Sequence, residues 1–292
     1  MRGLRTRAGQ TAPKPIACQS AHGRLVESRR RPDRATQGGL DGLGGPSVGG
    51  PNPHTTLLDS ASTRAARVKV FQQLKGITMA VSFELFNRVY AQCGEHSSWA
   101  VWAAPDGTVP VTATNLEFPE VSPSILDVLH TDVVTVALNR GDGTTGAPLS
   151  TFHTSGKSRD HVLGEALRTT RAWGAFMADL DANTVDSDAS AVLVGKRHVE
   201  RLIERVENVM GDHDGASRTY VLFGAQVRDA FARYTKESGV QLRTVSLLHY
   251  SGLALVRAKD AYTRVTERSS KGLSQSDAYV GYVRATLSAA LR

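Results

Sequence analysis

Two polar clusters, each following an apolar run, contain the residue types best suited to chemistry. Residues 132–138 are followed by Asn139, and residues 242–248 are followed by His249. Apolar runs rich in Val, Leu and Thr that end in turn residues are typical of buried strands in parallel sheets. Open α/β sheets bind ligands at the carboxyl ends of such strands, so an amide and an imidazole at one edge form a candidate site. The alternative is that both residues only cap strands.

Other arrangements that suggest chemistry are incomplete. The segment 154–158 (TSGKS) ends like a phosphate-binding P-loop but lacks the first glycine of that motif. Lys157 and Arg159 could still contact phosphates, with solvated loop charges as the alternative. Ser251 lies two residues from His249, but no nucleophile elbow surrounds it. The histidines lack metal-ligand spacing with a carboxylate or cysteine, and we expect neither a metal nor a cofactor.

The elements that must position these residues alternate between strands and helices. This alternation predicts an α/β domain of three layers (α/β/α) around a central, mostly parallel, four-stranded sheet. A further apolar run, residues 99–102, precedes the first of these strands. The predicted strands are 132–138, 173–180, 220–223 and 242–248, and the predicted helices are 83–93, 162–171, 190–210, a helix between Gly224 and Gly239, and 275–291.

The first 78 residues differ in composition from the remainder. They are rich in Gly, Pro, Ser and Arg and show no long apolar periodicity, so they cannot bury enough surface to offset the entropy of ordering. We expect residues 1–78 to be a disordered basic tail. The alternative is that this segment is upstream sequence translated from a misplaced start, because foldable sequence begins at Met79. N-terminal sequencing of the native protein distinguishes the two.

The positive charge of the chain belongs to this tail. The whole chain carries a net charge of +7, whereas residues 1–78 contain 13 Lys and Arg and 4 Asp and Glu, a net charge of +9. Residues 79–292 therefore carry −2. The high isoelectric point is thus no evidence that the folded part binds nucleic acid, although a basic tail can add non-specific DNA affinity.

Cysteine content and hydropathy restrict the class of protein. Two cysteines, Cys18 and Cys93, are too few for a disulfide framework or a four-cysteine metal site. The chain has no apolar run of 18 residues, and its tail lacks the apolar core of a signal peptide. We expect a cytoplasmic monomer that does not bind membranes.

Polar or aromatic residues follow one another along the chain in a distinctive order. The segment 138–141 (LNRG) ends one predicted strand, and Phe152 lies in the loop that follows. Asp179 ends the next predicted strand, and the segment 249–253 (HYSGL) follows the last one. This order resembles the uracil-DNA glycosylase superfamily, whose first motif is of the Gly-x-Asn-Pro-Gly type and whose second is of the His-Pro-Ser-Pro-Leu type. The likeness spans most of residues 97–260.

The motifs match only in part. Arg140 stands in place of the proline of the first motif, and Tyr250 and Gly252 stand in place of the two prolines of the second. The resemblance implies that residues 79–292 form a glycosylase-like α/β domain whose partner is DNA. It also implies base excision, the chemistry that begins one form of DNA repair.

The resemblance implies a role for each matching residue. Asn139 would position the water that attacks the anomeric carbon of the sugar. His249 would donate a hydrogen bond to the carbonyl oxygen of the departing base. The remaining matches are substrate contacts: Phe152 would stack on the flipped base, Leu253 would enter the gap in the duplex, and Ser251 and backbone amides near Gly141 would contact phosphates. For Phe152 and Leu253, simple core packing is the alternative.

Asp179 is the most informative departure from the family. Members that read uracil commonly place an asparagine here, because an amide both donates and accepts hydrogen bonds. An ionised carboxylate only accepts and suits a donor such as the exocyclic amine of a cytosine-type base. Asp179 therefore indicates a modified cytosine or another amino-bearing base. The alternative is that Asp179 caps a helix or lies outside the pocket.

The sequence thus predicts a monofunctional DNA glycosylase that acts on a uracil-like or modified cytosine base and leaves an abasic site. Neither motif contains a lysine that could form a Schiff base, which argues against lyase activity. Two other functions stay open: a non-catalytic module that binds nucleic acid or nucleotides on the same scaffold, and an α/β enzyme that acts on free nucleosides.

Overall fold

The computed structural model describes residues 81–141, 147–154, 159–186, 188–211 and 217–292. The predicted basic tail, residues 1–78, lies outside these ranges, and so does Lys157. In the described part of the chain no helix is long and apolar enough to cross a membrane.

A sheet of five strands forms the centre of the described domain. In spatial order the strands are β1 (Ser97–Trp99), β3 (Ala175–Val185), β2 (His130–Arg140), β4 (Thr219–Phe223) and β5 (Arg243–Leu247). Strand β1 pairs antiparallel with β3, and the other pairs are parallel. The carboxyl ends of β2, β3, β4 and β5 therefore meet at one edge of the sheet.

The helices form two groups. The eight helices of the described residues are α1 (Phe83–Cys93), α2 (Pro123–Leu126), α3 (Asp160–Leu167), α4 (Lys196–Met210), α5 (Ala225–Ser238), α6 (Gly252–Leu255), α7 (Ala258–Thr266) and α8 (Gln275–Ala290). Helix α4 packs against α1 and α5, whereas α8 packs against α3 and α7. Strand β4 is buried along its whole length, as is the stretch 133–138 of β2. Strands buried on both faces between two helix groups give the three-layer α/β fold.

Local sequence accounts for several helix boundaries. The hydroxyl of Ser82 accepts a hydrogen bond from the amide of Leu85 (3.1 Å) and thereby begins α1 as its N-cap. The predicted stripe of Val199, Leu202 and Val206 is the buried face of α4. Gly239 ends α5 in the left-handed conformation, as predicted.

Most predicted elements are confirmed, and several need correction. Helix 83–93 forms as predicted, and the predicted α/β fold is present with five strands instead of four, because β1 adds an antiparallel edge beside the apolar run 99–102. The predicted strand 173–180 in fact covers Ala175–Val185, so Asp179 lies inside a strand and does not end one. Helix α4 begins at Lys196, because Gly195 and a short 3-10 turn interrupt the predicted helix 190–210. The predicted helix 162–171 corresponds to α3, Asp160–Leu167, and helices α2, α6 and α7 have no counterpart among the predicted ones.

Candidate active site at the carboxyl edge of the sheet

Asn139 lies one residue before the end of β2, with its side-chain amide in a fixed orientation. Its Nδ2 donates to the carbonyl oxygens of Arg140 (2.9 Å) and Asp186 (2.8 Å). Because carbonyl oxygens only accept hydrogen bonds, these contacts identify the NH2 side of the amide. Oδ1 therefore points away from them, and no described residue donates to it. The end of β2 thus presents a fixed hydrogen-bond acceptor.

His249 lies two residues beyond the end of β5, and its side chain contacts the end of β4. A Cβ atom added at Gly224, the residue after β4, would lie 3.5 Å from Cβ of His249. Gly224 has a φ of +93°, a conformation that residues with a side chain rarely adopt. Because β4 lies between β5 and β2, this contact places His249 on the side of β5 that faces Asn139.

The hydrogen bonding of His249 determines which ring nitrogen carries the proton. The amide of Ser251 donates to Nδ1 (3.0 Å), so Nδ1 is the unprotonated nitrogen of the neutral ring. Burial lowers the pKa of His249 to about 4, and the ring is therefore neutral near pH 7 with its proton on Nε2. Within the described residues nothing accepts this proton. The His249 side chain thus presents a neutral donor.

Tyr250 connects His249 to Asp160, at the start of α3. Its ring stacks on that of His249, with centroids 4.6 Å apart and planes 13° apart. Its hydroxyl donates a hydrogen bond to Asp160, the first residue of α3. Burial, followed by the charges of nearby carboxylates, raises the pKa of Tyr250 well above its usual range. Asp160 Oδ2 also accepts from the amide (3.1 Å) and hydroxyl (2.7 Å) of Thr154. This chain of contacts holds the segment around His249 in place, although Tyr250 and Gly252 are not prolines.

Phe152 is buried, 6% exposed, and belongs to the hydrophobic core. Its φ of +68° is unusual for a bulky residue. Its neighbours hold this conformation: Trp102 Nε1 donates to the carbonyl oxygen of Phe152 (3.1 Å), and the ring nitrogens of His153 lie 2.9 Å and 3.1 Å from the carbonyl oxygens of Leu116 and Trp99. Core packing therefore describes Phe152 in this structure, and stacking on a base stays a prediction.

Asp179 lies on the same face of the sheet as Asn139. In the parallel pair β2–β3, Ala137 is opposite Asp179 and Asn139 is opposite Asp181, so the two side chains project on one side. Asp179 lies two residues deeper, about 6.6 Å along the strand direction. Ser98, opposite Met177, shares this face, and its hydroxyl donates to the carbonyl oxygen of Leu149. The segment that contains Phe152 therefore packs on the same face.

The carboxyl group of Asp179 is buried without hydrogen bonds. The residue is 1% exposed, and neither Oδ1 nor Oδ2 has a hydrogen-bond partner among the described residues. Burial raises the pKa of Asp179 to about 7, against the opposing charges of Arg205 and Arg140. The carboxyl group is therefore about half protonated near pH 7. It does not cap a helix, and because it is covered, a ligand reaches it only when the site opens.

Two arginines surround Asp179 without forming an ion pair with its carboxylate. Arg205, on α4, donates to the carbonyl oxygen of Asp179 (2.8 Å), and Arg140 donates to that of Glu95 (3.2 Å). His96, whose pKa is lowered by burial and then by these two arginines, accepts through its carbonyl oxygen from the amide of Asp179 (3.4 Å). The guanidinium group of Arg205 thus supports the backbone of β3, that of Arg140 contacts the segment before β1, and neither pairs directly with the carboxylate of Asp179.

The other predicted contact residues lie at the margin of this edge. Gly141 is exposed, and a Cβ atom there would meet nothing within 4 Å. Ser251 is exposed and precedes α6, which contains Leu253. Arg159 is also exposed, with Nε 3.6 Å from the position of a Cβ atom on Gly252. No described acidic side chain pairs with Arg159, so this cation at the second motif is available to an anion.

The described residues contain no group of three or more His, Cys, Asp or Glu that could hold a metal ion. No protein-family model, no curated protein and no solved structure matches the chain.

Sequence reasoning missed four residues that organise the site. Tyr250 and Asp160 connect the segment around His249 to the start of α3. Gly224 makes room for His249, and Arg205 supports the backbone of Asp179. Gly224 carried a readable signal, because a glycine directly after a strand often marks a close approach. The other three depend on contacts between segments far apart in the sequence.

Proposed function

We propose that this protein is a DNA glycosylase that flips a damaged or modified base, uracil-like or a modified cytosine, and hydrolyses its N-glycosidic bond by water attack. One observation carries the proposal: the sheet edge presents a fixed acceptor, Asn139 Oδ1, and a fixed neutral donor, His249 Nε2. Hydrolysis of this bond needs an acceptor for the water and a donor for the departing base.

In the proposed reaction Asn139 Oδ1 accepts a hydrogen bond from water and directs the oxygen lone pair at the anomeric carbon. The bond between that carbon and the water oxygen forms as the bond to the base nitrogen breaks. The electron pair of the broken bond leaves with the base, and the proton that the attacking water loses passes to the base through solvent. His249 Nε2–H donates to a carbonyl oxygen of the base, where negative charge develops. Such a preorganised donor typically contributes a few kcal/mol to the transition state.

The neutral form of His249 suits this role. Its pKa of about 4 means that the ring holds no spare proton to transfer near pH 7. It therefore acts as a hydrogen-bond donor and does not act as a general acid. The stacked Tyr250 ring and the Ser251 amide keep the donor oriented before the substrate binds, which reduces the reorganisation needed during the reaction.

Substrate contacts follow from the positions of the remaining residues. In the proposed complex the exposed residues Ser251 and Arg159 contact backbone phosphates, together with amides near Gly141. Leu253 would enter the duplex and Phe152 would stack on the base after the site opens. We further propose that the enzyme acts as a cytoplasmic monomer without a cofactor.

A base-release screen tests the proposal. Oligonucleotides that contain a single uracil, hypoxanthine or modified cytosine are incubated with the full chain, and abasic sites are detected by alkaline cleavage. The matched variant His249→Phe keeps an aromatic ring against Tyr250 but removes the donor. We expect wild-type protein to release at least one base and His249→Phe to be at least about tenfold slower.

Other outcomes distinguish the alternatives. DNA binding without release of any base would favour the non-catalytic module, and release from free nucleosides but not from DNA would favour the nucleoside enzyme. Base release at wild-type rate by both His249→Phe and Asn139→Ala would contradict the assigned site.

A further inference from the structure

The buried, unpartnered carboxyl group of Asp179 has a consequence for base recognition. Asp179 lies about two residues deeper than Asn139 on the same face. If the sugar is near Asn139, as the proposed function requires, the far edge of a flipped pyrimidine faces Asp179. Asp179 is therefore placed to read the base and lies too deep to activate the water.

The hydrogen-bonding groups of that edge decide which form of Asp179 fits. A uracil-type edge presents one donor, N3–H, and one acceptor, O4. A cytosine-type edge also presents one of each, the N4 amino donor and the N3 acceptor. An ionised carboxylate has only acceptors, so it leaves one repulsive acceptor–acceptor contact with either edge. A neutral carboxyl group, with one donor and one acceptor, matches both.

The surroundings of Asp179 allow the proton to occupy either oxygen. Within the part of the chain that the structure describes, neither oxygen takes a hydrogen bond, so no described group predetermines which one is the donor. An amide held by neighbouring groups, as Asn139 is, presents its donor and acceptor in one order only. We propose that Asp179 recognises the base as a neutral carboxyl group whose proton occupies either oxygen, so that one pocket accepts both the oxo and the amino form of a pyrimidine.

The charged groups near Asp179 act in both directions on its carboxyl group, and burial tips the balance towards the neutral form. Burial opposes ionisation, and the negative charges of Asp160 on α3 and Asp181 on β3 add to this effect. Arg205 on α4 and Arg140 at the end of β2 act in the opposite direction. The phenol of Tyr250, which follows β5, is hydrogen-bonded to Asp160 and carries no charge near pH 7. The balance leaves a pKa of about 7 for Asp179, so that protonation changes within the physiological range.

This inference rests on the proposed function and revises the expectation that an ionised carboxylate selects an amino-bearing base. Recognition by the neutral carboxyl group and recognition by the carboxylate predict opposite pH dependences for the release of an amino-bearing base. If the neutral carboxyl group reads the base, release of both forms falls as the pH rises. If the carboxylate reads it, release of the amino form rises with pH.

The experiment measures single-turnover release from two pairs of oligonucleotides, uracil with cytosine and 5-hydroxymethyluracil with 5-hydroxymethylcytosine, between pH 5.5 and 8.5. For at least one pair we expect wild-type protein to release both members at pH 6. Both rates should then fall with the same midpoint, by about tenfold for each pH unit above it, since one proton is lost. His249, with a pKa of about 4, contributes no titration in this range.

Two variants complete the test. Asp179→Asn keeps the shape and supplies a donor that does not titrate, so its rates should stay constant across the range. Asp229→Asn removes an exposed carboxylate on α5, ion-paired with Arg228, and should keep the wild-type profile.

The inference would be overturned if Asp179→Asn declined with pH as wild-type protein does. Release of the amino form that increases with pH, or release of only one member of each pair at pH 6, would also overturn it. Failure to release any base at any pH would instead refute the proposed function, and this inference with it. The separate pH dependence of unfolding would still report the protonation of Asp179.

Discussion

Asn139 and Asp179 occupy neighbouring strands and the same face of the sheet, but the protein holds them in opposite ways. The amide of Asn139 donates to two carbonyl oxygens, which fixes its orientation. The carboxyl group of Asp179 is more deeply buried, and no residue that the structure describes forms a hydrogen bond with it. The side chain of Asn139 thus has one hydrogen-bonding state, which the fold determines. The carboxyl group of Asp179 has two, protonated and ionised, and the pH determines which one is populated.

The difference teaches what each position can contribute. A fixed acceptor suits a reaction step that needs one geometry, such as the placement of a water molecule. An unpartnered buried carboxyl group is costly for stability, and its retention is more readily understood if a ligand supplies the missing hydrogen bonds. Under the proposed function, the comparison therefore assigns Asn139 to the reaction and Asp179 to recognition of the base.

The largest expected effect concerns stability and needs no substrate. Asp179 has a pKa of about 7 in the folded protein, raised from an ordinary value of 3.8. Between these values the folded state binds a proton that the unfolded state has released, so the free energy of unfolding should fall as the pH rises from about 4 to about 7. The fall amounts to about 4 kcal/mol at most. Urea unfolding at several pH values measures it.

The variant Asp179→Asn should lack this fall and be more stable than wild-type protein at pH 8, whereas Asp229→Asn should retain it. If the free energy of unfolding had the same pH dependence in Asp179→Asn and wild-type protein, Asp179 would not take up the proton, and the contrast between Asn139 and Asp179 would be wrong.

The next effect concerns catalysis. Asn139→Ala should lower single-turnover base release by at least about tenfold, because it removes the acceptor proposed to hold the water. The loss should be the same at pH 6 and pH 8, since the amide does not titrate. Circular dichroism verifies that the variant is folded. A loss that depended on pH would mean that Asn139 and Asp179 do not have separate roles.

A smaller effect is expected at Tyr250. The variant Tyr250→Phe keeps the ring stacked on His249 but removes the hydrogen bond to Asp160. A hydrogen bond to a charged group contributes about 1.5–3 kcal/mol to stability; because only part of this bears on the orientation of His249, base release should fall by about fivefold, with little change in DNA affinity. Tyr250→Ala, which also removes the ring, should cost more. Equal rates for Tyr250→Phe and wild-type protein would show that stacking alone positions His249.

The smallest effect is expected at Arg159, at the exposed margin of the site. Arg159→Ala should weaken DNA binding and reduce the slope of log affinity against log salt concentration by about 0.9, the loss of one phosphate contact. Arg228→Ala, which removes an arginine already paired with Asp229, is the control and should leave the slope unchanged. If the two variants behaved alike, Arg159 would be an ordinary solvated charge.

Local patterns in the sequence predicted the fold well. The apolar run before Asn139 reads as a buried strand, and the periodic residues of α4 indicate its buried face, because both signals depend on neighbours in the chain. Strand β1, three residues long and antiparallel, has too short a pattern to be recognised. The end of β3 was placed too early, since the polar residues after Leu180 continue the strand to Val185.

The candidate site was predictable in its residues but not in its chemical states. The positions of Asn139 and His249 at strand ends follow from the sequence. The tautomer of His249 depends on the amide of Ser251, and the raised pKa of Asp179 depends on complete burial. Both are products of three-dimensional packing, which residue type and spacing do not encode directly.

The hydrogen bonds from Thr154 through Asp160 to Tyr250 join two segments that are far apart in the sequence. Segments connected in this way tend to open together, as one cooperative unit. The amide protons of Thr154 and Ser251, each bonded to a side chain in this network, should then exchange with solvent at matching rates. In the proposed function, a base that enters the site past either segment would therefore depend on the same opening equilibrium.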